Sequence, residues 1–465
     1  MSTSSRVRAR LRTLPAQISV SIASVPATAR SLARRTAAIA VALAVLISII
    51  AVPVISLGKS RRVRYVTLSF CTLALVSYAL YTYDWPPYAL YEALEKQEIA
   101  NSRALYNLSK GSHAQRFILF KQLQGAGFNN QVQEILLYHH LALETGRTYV
   151  YQPFVWRKRG ERSLVPLSAF LSGVTRDSIS SAIYDEVCPE GGRVHITIDS
   201  ESDRTRWTEA KAEIEKHTER CLVVDHKILS WNFLASPGLH VAWPTYQSYL
   251  KAHFSWSDGI NDAIMRTQST LNLKSPTNPG GDAYMAIHLR RGDFEKHCGY
   301  LAEDHTGFTT WATLPELHHS VYSPQLSTGS ASSIIEHCYP SLRRILDLID
   351  LHARSRTSLR VLHILHDAAW DHPLVKVQLA KLEAAVLSDV HARAAGWPGG
   401  PMRRVTHSGT LALAKGEADY AVAVDVELAR RAEVFLGNGY SSLSAQIAAL
   451  RLGADGGRTR DIMFV

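Results

Sequence analysis

The sequence predicts an α/β protein with two doubly wound, Rossmann-like units that face a cleft, preceded by an N-terminal membrane anchor. Two patterns predict the units. Short β-rich runs alternate with helical runs, and a Pro, Gly and Asn stretch at 275–281 divides this alternation into two series. A third pattern, two uncharged apolar runs before residue 84, predicts the anchor. We therefore place an N-terminal unit at 113–274 and a C-terminal unit at 282–465.

The net charge of the chain belongs to its leader. The chain has 465 residues, with 51 Lys and Arg against 41 Asp and Glu, for a formal charge of +10. Residues 1–83 hold eleven of the basic residues and no acidic residue, which leaves 40 basic and 41 acidic residues, or −1, for the remainder. A near-neutral body gives no electrostatic reason to expect nucleic acid as a partner. Its 46% apolar content excludes an intrinsically disordered protein.

Two apolar runs in the leader compete as the membrane span. The runs 36–58 and 65–83 are uncharged over 23 and 19 positions, and the short segment 59–64 between them is basic. Because basic segments favour the cytosol, we predict a single span at 65–83 and a basic cytosolic tail, 1–64, that includes the extra apolar segment. This topology makes the chain a single-pass type II membrane protein of the endoplasmic reticulum or Golgi, with 84–112 as a stalk before a lumenal body.

Two other interpretations of the leader stay open. Either apolar run could be a buried core helix, and the Arg-rich N-terminus without acidic residues is also typical of a mitochondrial transit peptide.

The cysteines and one sequon bear on the compartment. Cys188, Cys221, Cys298 and Cys338 could form two disulfides in three pairings, and we favour the pairings nearest in sequence, Cys188–Cys221 and Cys298–Cys338. Zinc at the two His-Cys pairs stays an alternative, although no CxxC or HxxxH spacing supports it. Asn107 begins the only glycosylation sequon, which is usable only in a lumenal body.

The first series opens with a βαβ unit. Residues 116–122 are typical of a buried strand, 131–144 of an amphipathic helix and 147–154 of the next strand. The glycine-rich loop 124–130 joins the first strand to the helix, and its glycines allow a ligand to approach the helix N-terminus, where anions are favoured. A GxG loop alone is a weak signal, because a simple chain reversal uses the same residues.

The second series predicts four strands and four helices. The strands are 282–289, 359–366, 402–407 and 432–436, and the helices lie near 333–353, 371–388, 419–430 and 442–452. Ligands of parallel sheets bind beyond the carboxyl ends of the strands, so the residues that follow the strands are the candidate site.

Arginines follow the first of these strands. Arg290 and Arg291 each carry a planar guanidinium group that matches phosphate oxygens, so this position suits a diphosphate. The alternative is a structural salt bridge between Arg291 and Asp293. A carboxylate, Asp367, follows the strand 359–366.

A glycine turn follows the last strand. The sequence Gly437-Asn-Gly-Tyr-Ser441-Ser442 leads from a strand into a helix, where backbone N–H groups and two hydroxyls can hold a phosphate. The alternative is a serine that simply caps the helix. Asp425, ahead of this strand, is either an acceptor for a base or ribose or a solvated acid.

These segments resemble the GDP-fucose protein O-fucosyltransferase family over about residues 115–455. The segment 127–131 resembles that family's first βα loop, 288–294 its phosphate-binding arginine motif, and 437–442 its C-terminal nucleotide motif. The resemblance implies a GT-B fold and the inverting, metal-independent transfer of fucose from GDP-fucose to a Ser or Thr hydroxyl of a protein, without a cofactor.

The resemblance also implies which residues bind the donor. Arg290 would grip the β-phosphate and stabilise the departing diphosphate, and Asn129 would close over the sugar–phosphate junction with the backbone of Gly127 and Phe128. The other residues implied in donor binding are His288, Arg291, Asp293, Asp367, Asp425, Ser441, Ser442 and Leu443.

One departure concerns the general base that would activate the acceptor. Some family members have a Glu before the Gly-Phe-Asn of the first loop, where this chain has Ala126. Glu134 and Asp293 are weak substitutes, so the base is unassigned. A glycan acceptor, or a protein that binds the nucleotide sugar without transferring it, therefore stays open.

Overall fold

The structure is a computed structural model that describes most of the body. The described residues are 69, 72–77, 86–109, 115–122, 126–155, 164–199, 202–229, 237–291, 294–318, 326–366, 373–454, 457 and 459–465. The predicted tail 1–64 and the predicted span 65–83 lie outside the described residues, apart from 69 and 72–77. Among the described helices, none is both long and apolar enough to cross a membrane. Residues 84–465 form one compact unit.

The first part of the body contains a five-stranded parallel sheet in the order β5-β2-β1-β7-β6. Its elements are α1 Tyr88–Ser109, β1 Phe117–Phe120, α2 Phe128–Glu144, β2 Thr148–Tyr151, β3 Phe154–Val155, β4 Leu164–Val165, α3 Ser172–Arg176, β5 Ile179–Ser180, α4 Tyr184–Val187, β6 Arg193–Ile196, α5 Arg206–Lys216, β7 Cys221–Val224, α6 Trp243–His253 and α7 Asp258–Thr270. The short strands β3 and β4 pair with each other in antiparallel fashion.

The second part contains another five-stranded parallel sheet, in the order β10-β9-β8-β11-β12. Its elements are β8 Ala283–Leu289, α8 Phe294–Glu303, α9 Pro315–His318, α10 Ala331–Cys338, α11 Leu342–Ser355, β9 Leu359–His366, α12 Pro373–Val386, α13 Asp389–Ala394, β10 Arg404–His407, α14 Ala421–Arg431, β11 Val434–Gly437, α15 Ser442–Gly453 and β12 Ile462–Phe464. The predicted α/β class with parallel sheets is confirmed.

Strand β8 is the centre of the second sheet. All seven of its residues are buried, which explains the unbroken apolar character of this strand in the sequence. Its neighbours β9 and β11 run parallel to it, so the carboxyl ends of these three strands lie side by side. The helix predicted near 333–353 is instead two helices, α10 and α11, because Pro340 between them cannot donate a backbone hydrogen bond.

Helix α1 packs against the body. Tyr91 is fully buried, and its hydroxyl donates to Asp419 Oδ2 at 2.8 Å. The backbone N–H of Ser180 donates to Ser102 Oγ at 2.9 Å, so α1 also holds the edge of the first sheet. This differs from the stalk predicted at 84–112, because the buried side chains of α1 dock it on the body. Asn107 lies exposed on the last turn of the same helix.

Both disulfides have the pairing that the sequence analysis favours. Cys188–Cys221 joins the end of α4 to the start of β7, and Cys298–Cys338 joins α8 to α10. They close loops of similar length, with sequence separations of 33 and 40. All four cysteine sulfurs are therefore occupied, which removes them as zinc ligands.

The docking of α1 predicts a large effect of Tyr91→Ala. Truncating a fully buried aromatic side chain should lower the free energy of unfolding by about 3–5 kcal/mol, measured by urea denaturation. Leu108→Ala is the control, because Leu108 is 85% exposed on the same helix and its truncation should cost less than about 0.5 kcal/mol. Equal, small effects of the two substitutions would show that α1 is not docked in solution.

Candidate functional site

Two helices of the body begin next to each other. Helix α2 follows β1 of the first sheet, and α15 follows β11 of the second. The side-chain Nε2 of Gln133, in the second turn of α2, donates to the backbone oxygen of Ser442 at 2.9 Å, so α2 contacts the first turn of α15 near its own start. Each helix start carries free backbone N–H groups and a partial positive charge, and two adjacent starts favour an anion between them.

Ser441 at the start of α15 does not cap its helix. It occupies the N-cap position and is 1% exposed, yet its side chain makes no capping hydrogen bond and its Oγ has no partner. The N-cap serines of four other helices do accept a backbone hydrogen bond, and these are Ser257, Ser330, Ser341 and Ser388. A buried hydroxyl without a partner costs about 1–3 kcal/mol. The simple capping alternative therefore fails at Ser441.

Asn129 lies one turn before Gln133, on the same face of α2. Its side chain is buried, and its Oδ1 has no hydrogen-bond partner. The N-cap of α2 is Gly127, which offers no side chain to the free N–H groups. The ring of Phe128 packs 5.1 Å from that of Phe154 in an aromatic cluster. Gly127, Phe128 and Asn129, to which the resemblance assigns a donor-side role, thus lie together at the start of α2.

His288 belongs to a hydrogen-bond chain with two residues of the glycine-turn region. The backbone N–H of Asn438 donates to Ser444 Oγ at 2.9 Å, and Ser444 Oγ lies 2.8 Å from His288 Nδ1. Burial, with smaller contributions from the charges of Arg290 and His366, lowers the pKa of His288 to about 3. The imidazole is therefore neutral. In the tautomer in which Ser444 donates its hydroxyl hydrogen to Nδ1, the proton of His288 lies on Nε2, which is then a donor.

The two arginines after β8 differ in what they contact. Arg291 is buried, its Nη2 donates to the backbone oxygen of Pro340, and its guanidinium group lies 4.2 Å from the ring centroid of Tyr339. Arg290 is half-buried, with its guanidinium group 4.7 Å from the ring centroid of Phe294. The guanidinium group of Arg291 is thus buried and bound to other parts of the protein. Arg290 is therefore the better candidate for a phosphate ligand.

The other residues predicted for the site differ in burial, and two of them are not described. Asp425 is buried rather than solvated, and its Oδ1 lies 3.2 Å from His363 Nε2. Ser442 and Leu443 are half-buried in the first turn of α15. Asp293 and Asp367 lie outside the described residues.

Two described residues, Ala126 and Glu134, bear on the identity of the acceptor base, and neither offers an accessible carboxylate. Glu134 is fully buried within α2, and Ala126 is a buried residue without an ionisable group.

Three residues of the site carry contacts that the sequence analysis did not assign, namely Gln133, Asn438 and Ser444. Gln133 and Ser444 lie one helical turn or less beyond residues that were assigned, on the faces that α2 and α15 turn inward. A search for polar residues at such spacings from the motif would have found them.

A separate cavity of about 370 Å³ lies between α1 and the start of α7. Its lining includes Glu98, Asp258, Tyr151 and Tyr420 and contains no described Lys, Arg or His. Burial raises the pKa of Glu98. A cavity with two carboxylates and no described cation is unsuited to a diphosphate, so the helix starts and Arg290 are the better anion site.

Comparisons with known proteins give only distant similarity. No protein-family model matches the chain, and no curated protein matches it. The chain is similar to a solved structure of POFUT1 in complex with GDP, at 16% identity, 76% coverage of this chain, 98% of that chain and a TM-score of 0.47. A POFUT1 complex with GDP-fucose has 13% identity, 76% coverage of this chain, 99% coverage of that chain and a TM-score of 0.47. A FUT1 variant of Arabidopsis thaliana with GDP has 11% identity, 76% coverage of each chain and a TM-score of 0.38. Similarity of this degree does not identify the function of the chain.

Ser441→Ala should separate ligand binding from helix capping. Because Ser441 Oγ is buried and makes no bond in the ligand-free protein, its removal should leave the free energy of unfolding unchanged or raise it by up to about 1–3 kcal/mol, whereas the affinity for GDP should fall about tenfold or more. Urea denaturation and titration calorimetry measure the two effects. Ser388→Ala is the matched control, which should lose about 1 kcal/mol of stability and no affinity. A stability loss in Ser441→Ala equal to that of the control would make Ser441 an ordinary cap.

The low pKa of His288 predicts a pH effect on stability. The folded state keeps this imidazole neutral, whereas the unfolded state takes up a proton below a pH of about 6.5, so stability falls as the pH falls through that value. When the pH is lowered from 7.5 to 5, the free energy of unfolding of His288→Asn, measured by urea denaturation, should fall by about 2 kcal/mol less than that of the wild type. An unchanged pH dependence would mean that His288 titrates normally and is not held as a neutral donor.

Proposed function

We propose that the chain is a fucosyltransferase that transfers fucose from GDP-fucose to a Ser or Thr hydroxyl of a protein. The observation that carries the proposal is the buried, unpartnered hydroxyl of Ser441 at the uncapped start of α15. A diphosphate bound there would complete the hydrogen bonds that this helix start lacks.

The donor diphosphate would bind four groups of this chain. Ser441 Oγ and the first backbone N–H groups of α15 would donate to it, His288 would donate through Nε2, and Arg290 would offer its guanidinium fork. His288 needs no protonation for this role, because its neutral Nε2 already carries the donor hydrogen. Binding through His288 would therefore not depend on pH between about 5 and 8.

The same groups would assist the chemical step. Negative charge grows on the diphosphate as its bond to the sugar breaks, and Arg290 and the helix start would stabilise that charge more in the transition state than in the ground state. In a metal-dependent transferase a divalent cation fills this role. Since Arg290 and two helix starts supply positive charge here, we propose that transfer requires no metal. Inversion at the sugar carbon, by direct attack of the acceptor, is part of the same proposal.

The identity of the donor rests on the sequence resemblance. Three segments resemble the O-fucosyltransferase motifs in order. Two observations support the proposal that they form one site, the contact of Gln133 with Ser442 and the hydrogen-bond chain from Asn438 to His288. We therefore propose the GT-B arrangement, with α2 contributing the sugar side and α15 the nucleotide side. Asn129 Oδ1, which has no partner, would accept a hydrogen bond at the sugar–phosphate junction.

A second candidate function follows from Ala126. With alanine in place of the family's Glu, and Glu134 fully buried, no described carboxylate of the first loop is placed to act as the acceptor base. The chain would then bind GDP-fucose without transferring it, or use a glycan acceptor. Release of GDP from GDP-fucose in the presence of acceptor would reject the pure binding protein.

The proposed location is the lumen of the endoplasmic reticulum or Golgi, behind a single type II anchor at 65–83. Two disulfides and an exposed sequon at Asn107 support a lumenal body, because disulfides persist mainly in oxidising compartments.

Arg290→Ala should weaken GDP binding about 10–100-fold, because the substitution removes charge-assisted hydrogen bonds to the diphosphate. Arg290→Lys should recover only part of the affinity, since Lys keeps the charge and loses the planar fork. Titration calorimetry on the full chain, with and without EDTA, measures both the affinity and the metal requirement.

Arg343→Ala provides the control, because Arg343 lies exposed on α11 and is not among the residues proposed to bind the donor, so its removal should leave the affinity unchanged. Binding that EDTA abolishes, or an Arg290→Ala affinity equal to that of Arg343→Ala, would contradict the proposed donor site.

A further inference from the structure

The segment 337–340, which comprises the last two residues of α10 and the first two residues after it, contacts two of the proposed binding elements at once. Asn438 of the glycine turn donates its side-chain Nδ2 to the backbone oxygen of Cys338 at 2.7 Å. Arg291, at the end of β8, donates to the backbone oxygen of Pro340 and stacks on the ring of Tyr339. The position of this short segment therefore affects both β8 and the turn after β11.

Asn438 connects the segment 337–340 to the start of α15 through hydrogen bonds. Its Oδ1 accepts a hydrogen bond from the backbone N–H of Tyr440 at 2.9 Å, and its backbone oxygen accepts one from Ser441 at 3.0 Å. Its own N–H donates to Ser444, the residue that orients His288. The side-chain contact of Asn438 with Cys338 thus helps to set where the hydroxyl of Ser441 and the ring of His288 lie.

The other end of the constraint is the helix after the arginines. Helix α8 begins with Phe294, whose ring lies under the guanidinium group of Arg290, and it carries Cys298 one turn later. The disulfide Cys298–Cys338 joins this helix to the segment 337–340, and both of its cysteines are buried. One covalent bond therefore connects the support of Arg290 with the support of Asn438.

The second disulfide is a matched comparison. Cys188–Cys221 lies at the amino end of β7, and Cys188 contacts Arg193, whose Nε donates to its backbone oxygen at 2.8 Å. No residue of the proposed donor site takes part in these contacts. Because the two disulfides close loops with separations of 33 and 40, loop-closure entropy predicts similar contributions to stability.

We propose that the Cys298–Cys338 disulfide is a positioning element of the donor site, which holds Asn438 and the stacked Arg290 in the arrangement that binds a nucleoside diphosphate. This inference rests on the proposed function. Without the bond, the segment 337–340 and α8 can separate, the binding arrangement is populated for a smaller fraction of the time, and the apparent affinity falls by that fraction.

The test compares two double variants of the full chain, Cys298→Ser with Cys338→Ser and Cys188→Ser with Cys221→Ser. Urea denaturation, hydrogen exchange of the amides at 437–444 and calorimetric titration with GDP are measured on each. Both variants should show a similar decrease in the urea midpoint. Only the Cys298 and Cys338 variant should show at least tenfold faster exchange at 437–444 and at least tenfold weaker GDP binding.

Equal effects of the two double variants on exchange and on GDP affinity would overturn the inference. If the wild type binds no GDP, the proposed function fails, while the exchange rates at 437–444 still decide whether the disulfide holds the turn. Should the Cys298 and Cys338 variant not fold, Asn438→Ala keeps the disulfide and removes the 2.7 Å bond to Cys338. Unchanged exchange and unchanged affinity in Asn438→Ala would also overturn the inference.

Discussion

Two helix starts that meet without side-chain caps are the constraint on which the candidate site depends. Helix α2 begins after a glycine and α15 begins after a serine whose hydroxyl bonds to nothing, although four other helices of the chain have capping serines. The bond from Gln133 to Ser442 joins the second turn of α2 to the first residue of α15. An anion bound there would accept hydrogen bonds from N–H groups that both helix starts leave without an intrahelical partner, which is why we propose an anion site at this position.

The surrounding polar groups agree with that requirement. A neutral histidine on β8 and the half-buried Arg290 that follows this strand lie at the same edge of the sheet, and β11 leads into the turn that orients the histidine through Ser444. The positive charge of the chain is otherwise concentrated in the leader, since the body carries −1. The net charge of the body gives no overall attraction for an anion, so a bound anion would have to be held by local donors, which suits a small diphosphate better than a polyanion.

Much of the second sheet and its site was predictable from the sequence. Strand β9 has the predicted bounds, and α15 begins at the predicted residue, because buried strands and glycine turns leave strong local patterns. Short strands such as β5 and β12 were not predicted, since two or three residues carry no periodicity. The docking of Tyr91 and the different partners of Arg290 and Arg291 depend on residues distant in sequence, and no local pattern encodes such contacts.

A structure of the chain with bound GDP tests the central claim most directly. The account predicts that a phosphate oxygen lies within hydrogen-bond distance of Ser441 Oγ and of the first N–H groups of α15, with Arg290 on the same diphosphate. A diphosphate bound elsewhere, with Ser441 Oγ still lacking a partner, would contradict it.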